Sequence, residues 1–283
     1  VLMRIRGIIR GVQGKSHEEL IELLGMEHRP GQLAPVKTSL KPGTSLQPGH
    51  ALRVAYNQFD SGINHFRYDW RADVRYSAEL LRDFIRDRMP ADGRWNLVGH
   101  SQGGLLVTPT AGTLNAAEAM LVGDDAGTRL APAIRATTRM WPAIYQMLPA
   151  WPAVVDSNGS PADTSRQLTS PGGWPQVDGI QEDLLHRARE THALLRDPFS
   201  HMQGVDVRLY LAANRNTTKW LRMPAVTPLG WEVVDMEKGD TLVPYGTTMR
   251  HMGAVVSPHV TRFDAPCEPH AFLLNDATVA SHT

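Results

Sequence analysis

The chain has 283 residues, 42% apolar and 20% charged, the proportions of a globular protein with an ample core. Lysine plus arginine equals aspartate plus glutamate at 29 each, so no net field draws nucleic acid or an anionic membrane. The single cysteine, Cys267, excludes an intrachain disulfide and fits a reducing, cytoplasmic compartment, and no apolar run approaches the roughly 18 residues of a membrane helix.

In chain order, residues 1–25 read as helix, with Gly25 as the stop. The opening "VLMRIRGIIRG" has basic residues inside its apolar run and no small-residue cleavage site after it, so no signal peptide is expected. Three Pro-Gly pairs, at Pro30, Pro42 and Pro48, mark 28–50 as loop. "HALRVAYNQF" reads as a short helix and "INHFRYDW" as a strand ending near Asp69. Over 72–89, Val74, Ser77, Leu81, Phe84, Ile85 and Arg88 recur at three- and four-residue spacings, the mark of an amphipathic helix. "RWNLVGH" is the next strand, and a helix starts at Ser101. Strand, helix, strand, helix is an α/β signature with parallel strands.

The middle differs. "APAIRATTRMWPAIYQMLPAWPAVV" is rich in Met, Trp and Pro without strand alternation, "DSNGSPADTSRQLTSPGGWPQ" reads as a polar loop, and "IQEDLLHRARETHALLRD" as a helix. Strands resume with "VDVRLYLAAN", "GWEVVDME" and "VVSPHVTRFDA". The expectation is one domain over 1–283, with a core at 51–107 and 204–283 and a helical lid inserted at about 108–203.

"WNLVGHSQGGLLV" carries the chemistry. A strand that ends in Gly-x-Ser-x-Gly and continues as a helix is the layout of a nucleophile elbow, with Gly99 and Gly103 where a side chain would crowd the turn around Ser101. By chance the pattern arises in roughly one chain of this length in ten, so the strand–turn–helix context decides against a plain glycine bend. A serine hydroxyl needs a base to take its proton and a carboxylate to orient the base. In the order Ser, acid, His, the turn after "WEVVDMEKG" offers Asp240 and the loop after "VTRFDA" offers His270. Asp235 and Glu237 lie in or just after the strand, not in the turn, and His251 and His259 follow strands less cleanly. The bland alternatives are a turn-forming aspartate and a solvated loop histidine. His100 reads as a packing or gating residue beside the serine. The backbone amide of Gln102 is the expected oxyanion donor.

Trp141, Tyr145, Met147 and Trp151 fit an apolar lid or acyl-chain pocket, with a buried packing segment as the equal alternative. No His-Glu-x-x-His or paired-cysteine pattern occurs, so neither a metal nor another cofactor is expected.

These residues resemble the lecithin:cholesterol acyltransferase-like family of α/β-hydrolases over most of the chain. "FRYDWR" at 66–71 is similar to the family's Tyr-Asp-Trp-Arg segment, "LVGHSQGG" to its elbow, "TPTAGTLNA" to the stretch after its next strand, "GDTLVP" to its Gly-Asp-Gly-Thr-Val-Pro turn and "EPHAFLLND" to its histidine segment. The resemblance implies a mostly parallel sheet with flanking helices and a lid, and a Ser101–Asp240–His270 triad acting on lipid or other carboxylic esters. The partner it implies is an ester substrate, met with at most transient contact with a lipid surface. Two departures stand beside it. The family's opening strand and Pro-Gly oxyanion loop have no counterpart here. Thr108 follows Ser101 by seven residues, where the family has most of a helix and a strand. A non-catalytic relative that binds a lipid or protein through the same pocket is the alternative.

Overall fold

The computed structural model describes residues 16–38, 64, 66–88, 93–94, 96–107, 111–123, 131–155, 166–174, 177–196, 204–222, 232–251, 260–265, 270 and 273. The expected helices over 1–15 and 50–59, and Cys267, lie outside them.

Helix α1 (His17–Leu24) starts at a capping box: the Ser16 hydroxyl accepts from Glu19 N while the Glu19 carboxylate accepts from Ser16 N. Its last carbonyls are satisfied from elsewhere in the chain. Leu24 O accepts from Arg71 Nη1 at 2.8 Å and Trp141 Nε1 at 2.7 Å. Strands β1 (Met26–Glu27) and β2 (Lys37–Thr38) form a small antiparallel pair where loop was expected.

Helix α2 (Val74–Arg88) follows the sequence pattern. Val74, Ser77 and Leu81 are buried, whereas Arg88 is exposed and lays its guanidinium 5.1 Å over the Phe84 ring. Asp73 caps the helix by accepting from Arg75 N, and the Gln146 side chain accepts from Val74 N.

Helices α3 (Gln102–Val107), α4 (Leu114–Leu121), α5 (Ala131–Thr138) and α6 (Pro142–Gln146) come next, then strands β3 (Pro152–Val155) and β4 (Arg166–Gln167) and helix α7 (Glu182–Leu194). They bury one contiguous apolar cluster that includes Met120, Ile134, Leu148, Val154, Leu184 and Leu185. Strands β5 (Val207–Ala212), β6 (Arg215–Arg222) and β7 (Glu232–Gly239), helix α8 (Tyr245–His251) and strand β8 (Val260–Ala265) complete the chain. The sheet order is β4-β3-β6-β7, with β5 and β8 as a separate parallel pair in register from Val207↔Val260 to Ala212↔Ala265.

The protein is thus a mixed helix-and-strand fold with a mixed sheet. Three expectations need correction. The sheet is not mostly parallel among the described residues: β3–β6 and β5–β8 are parallel, and β1–β2, β3–β4 and β6–β7 are antiparallel. No strand forms over the described parts of 63–70 and 94–100. In the first, Asp69 bends the chain by accepting from Arg71 N and Ala72 N. In the second, Leu97 and Val98 are each 49% exposed. Apolar character made both read as strands, but a strand also needs a ladder partner. Finally, 131–155 is not a lid set apart from the core: it supplies much of the core, and β3 pairs with β6 inside the four-stranded sheet.

Candidate active site

Two turns and His270 make up the site. The first is the elbow. Ser101 has φ +59°, a left-handed conformation that L-residues avoid, and α3 starts at the next residue. Gly103 N donates to His100 O at 3.0 Å and Gly104 N to Ser101 O at 2.8 Å, which closes the turn. The Gln102 side chain, 6% exposed, donates to Trp70 O at 2.5 Å and ties the elbow to the 66–71 segment. The Gln102 backbone N–H has no acceptor among the described residues.

The second turn follows β7. Gly239 must be glycine, because a Cβ there would collide with the Val243 carbonyl and the Thr217 hydroxyl. Asp240 Oδ1 accepts from Leu242 N at 2.9 Å and Val243 N at 2.7 Å. Thr241 has φ +84°, a strained value for a β-branched residue, and its N–H donates to Thr217 Oγ1 at 2.9 Å. The Thr113 hydroxyl donates to Leu242 O at 2.6 Å. The acid turn is therefore anchored to β6 and to the start of α4.

The third part is His270, which lies after β8 in the chain. Its Nδ1 lies 2.6 Å from Asp240 Oδ2, and its backbone N–H donates to Asp240 O at 2.7 Å. A carboxylate can only accept, so Nδ1 carries the proton and Nε2 is left with the lone pair. Burial pushes the Asp240 carboxyl up, but the His270 hydrogen bond and charge and the Val243 and Leu242 amides outweigh it and hold it below the ordinary carboxylate range.

The structure brings Asp240 and His270 together and sets His100, the residue before Ser101, against His270 with ring centroids 5.0 Å apart. Among the described contacts no hydrogen bond joins Ser101 Oγ to His270. Among the described residues beyond its own helix and chain neighbours, a Cβ at Gly103 would find Tyr68 Oη nearest, at 3.9 Å. Gly99 precedes the elbow in an unpaired segment. Asp235, an acid considered from the sequence, is exposed on β7. Glu237 accepts from Thr247 N and the Thr247 hydroxyl.

Trp141, Tyr145, Met147 and Trp151 are buried in the main core, in keeping with the packing alternative. The Tyr145 hydroxyl donates to Arg139 O and accepts from Gln181 N, and burial pushes its pKa up to about 12. Trp151 Nε1 donates to Lys219 O. Among the described residues no group of three or more His, Cys, Asp or Glu side chains is placed to hold a metal, and no helix is long and apolar enough to cross a membrane. Sequence reasoning missed Thr113 and Thr217. Small hydroxyl residues carry no signal until a turn is seen to lean on them.

No protein-family model matches this chain, and no curated protein matches it.

Proposed function

We propose that this chain is a serine hydrolase or O-acyltransferase acting on carboxylic esters, lipid esters among them, built as an α/β-hydrolase. The observation that carries the reading is the 2.6 Å contact between Asp240 and His270. Residues separate in sequence bring an oriented imidazole into the neighbourhood of a serine with φ +59°. The order Ser, Asp, His and the parallel β5–β8 pair ahead of His270 also support it.

In the first step Ser101 Oγ attacks the ester carbonyl carbon, and its proton passes to His270 Nε2. Asp240 balances the imidazolium. The Gln102 N–H donates to the tetrahedral oxyanion. The intermediate collapses, the C–O bond to the leaving alcohol breaks, and His270 returns the proton to that alcohol. Water or a second alcohol then attacks the Ser101 acyl ester by the same route, releasing an acid or a new ester.

Labelling with a fluorophosphonate and locating the adduct by mass spectrometry tests this. An adduct on Ser101 that is lost in His270→Ala supports an activated serine. A folded protein that takes no label sinks the reading. The half-exposed Leu97 and Val98, and the absence of a Ser101–His270 hydrogen bond among the described contacts, favour the second reading, a non-catalytic relative that binds an acyl ligand. Binding of a lipid ester without any adduct would select it.

A further inference from the structure

We propose that His100 is a positioning residue that holds His270 in register with Asp240 and with the elbow. The inference rests on the reading of Ser101, Asp240 and His270 as one site.

His100 Nε2 lies 2.8 Å from the backbone carbonyl oxygen of His270. A carbonyl can only accept, so Nε2 is the protonated nitrogen of His100. The two rings are 5.0 Å apart and tilted by 31°. His270 is therefore gripped at three points. Its N–H reaches Asp240 O, its Nδ1 reaches the Asp240 carboxylate, and its carbonyl is held by His100. The first two fix His270 to the acid turn. Among the described contacts the third fixes it to the elbow, because His100 is bonded directly to Ser101. The hydrogen bond and the ring contact together link the elbow to the base.

The sequence alone gave His100 a packing or gating role. A packing residue would be replaced without loss by an apolar side chain of similar bulk. A donor would not, and a side chain that can still donate would replace it. That difference defines the test. His100→Leu and His100→Gln are compared with the unaltered chain by two measurements. The first is the low-field proton resonance of the His270 Nδ1–H···Asp240 hydrogen bond, which needs no catalysis. The second is the fluorophosphonate labelling rate of Ser101.

The expected result is that His100→Leu broadens or shifts the resonance and slows labelling on the order of tenfold, as a misplaced base should. His100→Gln recovers most of both. Thermal melting of each variant separates loss of the grip from loss of fold. Unchanged resonance and labelling in His100→Leu would overturn the inference, as would a folded His100→Gln that behaves like His100→Leu. If the unaltered chain takes no label but its resonance responds to His100→Leu, the positioning role stands while the catalytic reading falls.

Discussion

Around α6, Trp141, Ile144, Tyr145 and Leu148 are at most 2% exposed, and each polar group they carry has a partner. Gln146 beside them, also fully buried, accepts from Val74 N and donates to Asp73 and to Thr191. The elbow is built in the opposite way. Leu97 and Val98 lead into it half-exposed and without a ladder, and Ser101 is held in a left-handed conformation by two backbone hydrogen bonds and the Gln102 anchor. The first region is stabilised by apolar burial with its polar groups satisfied. The second depends on a few hydrogen bonds and stores strain. Such strain persists only where the surroundings over-determine it, and it collects where chemistry is done. The comparison teaches that stability and chemistry should break separately.

The largest effect should come from the site. Asp240→Asn removes the charge that balances the His270 imidazolium and favours the wrong tautomer. Labelling and ester turnover should fall on the order of ten-thousandfold, far out of proportion to the loss of melting temperature that removing the paired carboxylate causes near neutral pH. The same variant has a signature in stability. The folded pKa of Asp240 is depressed, so the unfolded chain binds the proton first as the pH falls. Its contribution is present above the ordinary carboxylate range and is lost as the pH drops through the depressed folded value. Denaturant midpoints measured against pH should therefore fall less steeply for Asp240→Asn across that acid window. Parallel curves would refute it.

Leu148→Ala should do the reverse. Leu148 is fully buried, and its truncation leaves a cavity in the main cluster worth about 2–5 kcal/mol. The unfolding free energy read from the urea midpoint should drop by that amount, while labelling of the fraction that remains folded stays within about twofold. A collapse of labelling in folded protein would show that the core and the site are one cooperative unit.

The same contrast explains what the sequence disclosed. Helices α2 and α7 were legible because their apolar spacing is a property of the helix itself. Asp240 and His270 stand out in the sequence because each follows a run that reads as a strand, and the structure sets them 2.6 Å apart. Strand β6 was not, since "RNTTKWLR" buries only Thr217 and Leu221 and has no apolar run. Strand β3 was hidden in a continuous apolar stretch, and four such residues fit a buried strand or a helix equally well. Leu97 and Val98 read as strand because residue type reports a wish to be buried and not whether a neighbour exists. The grip of His100 on His270 spans 170 residues, and no local pattern encodes it.

Thr241→Gly should sharpen the comparison on a smaller scale. At φ +84° the threonine costs about 1–2 kcal/mol relative to a glycine. Glycine gives back roughly 0.4–1 kcal/mol through the freer unfolded chain. The net is a gain of about 0–1.6 kcal/mol in unfolding free energy, read from the shift of the urea midpoint. If the strain helps aim Asp240, the stabilised variant should label more slowly; if the Thr217 and Thr113 anchors suffice, the rate should hold.

The smallest effect is expected at Gly103. An elbow is ordinarily taken to forbid a side chain two residues after the serine, but here, among the described residues outside its own helix and chain neighbours, a Cβ meets Tyr68 Oη nearest at 3.9 Å, an ordinary van der Waals contact. Alanine also suits a helix better than glycine by about 0.5–1 kcal/mol in mid-helix, and less in the first turn of α3. Gly103→Ala should therefore fold with a midpoint equal to or slightly above that of the parent. Its labelling then isolates a question that the resting chain leaves to experiment. If the rate is unchanged, the space over Gly103 is not used by the acyl group. If a fully folded variant labels more than about tenfold slower, an effect as large as a misplaced reacting group, the reacting carbonyl passes over Gly103. The glycine would then be required by the substrate and not by the turn.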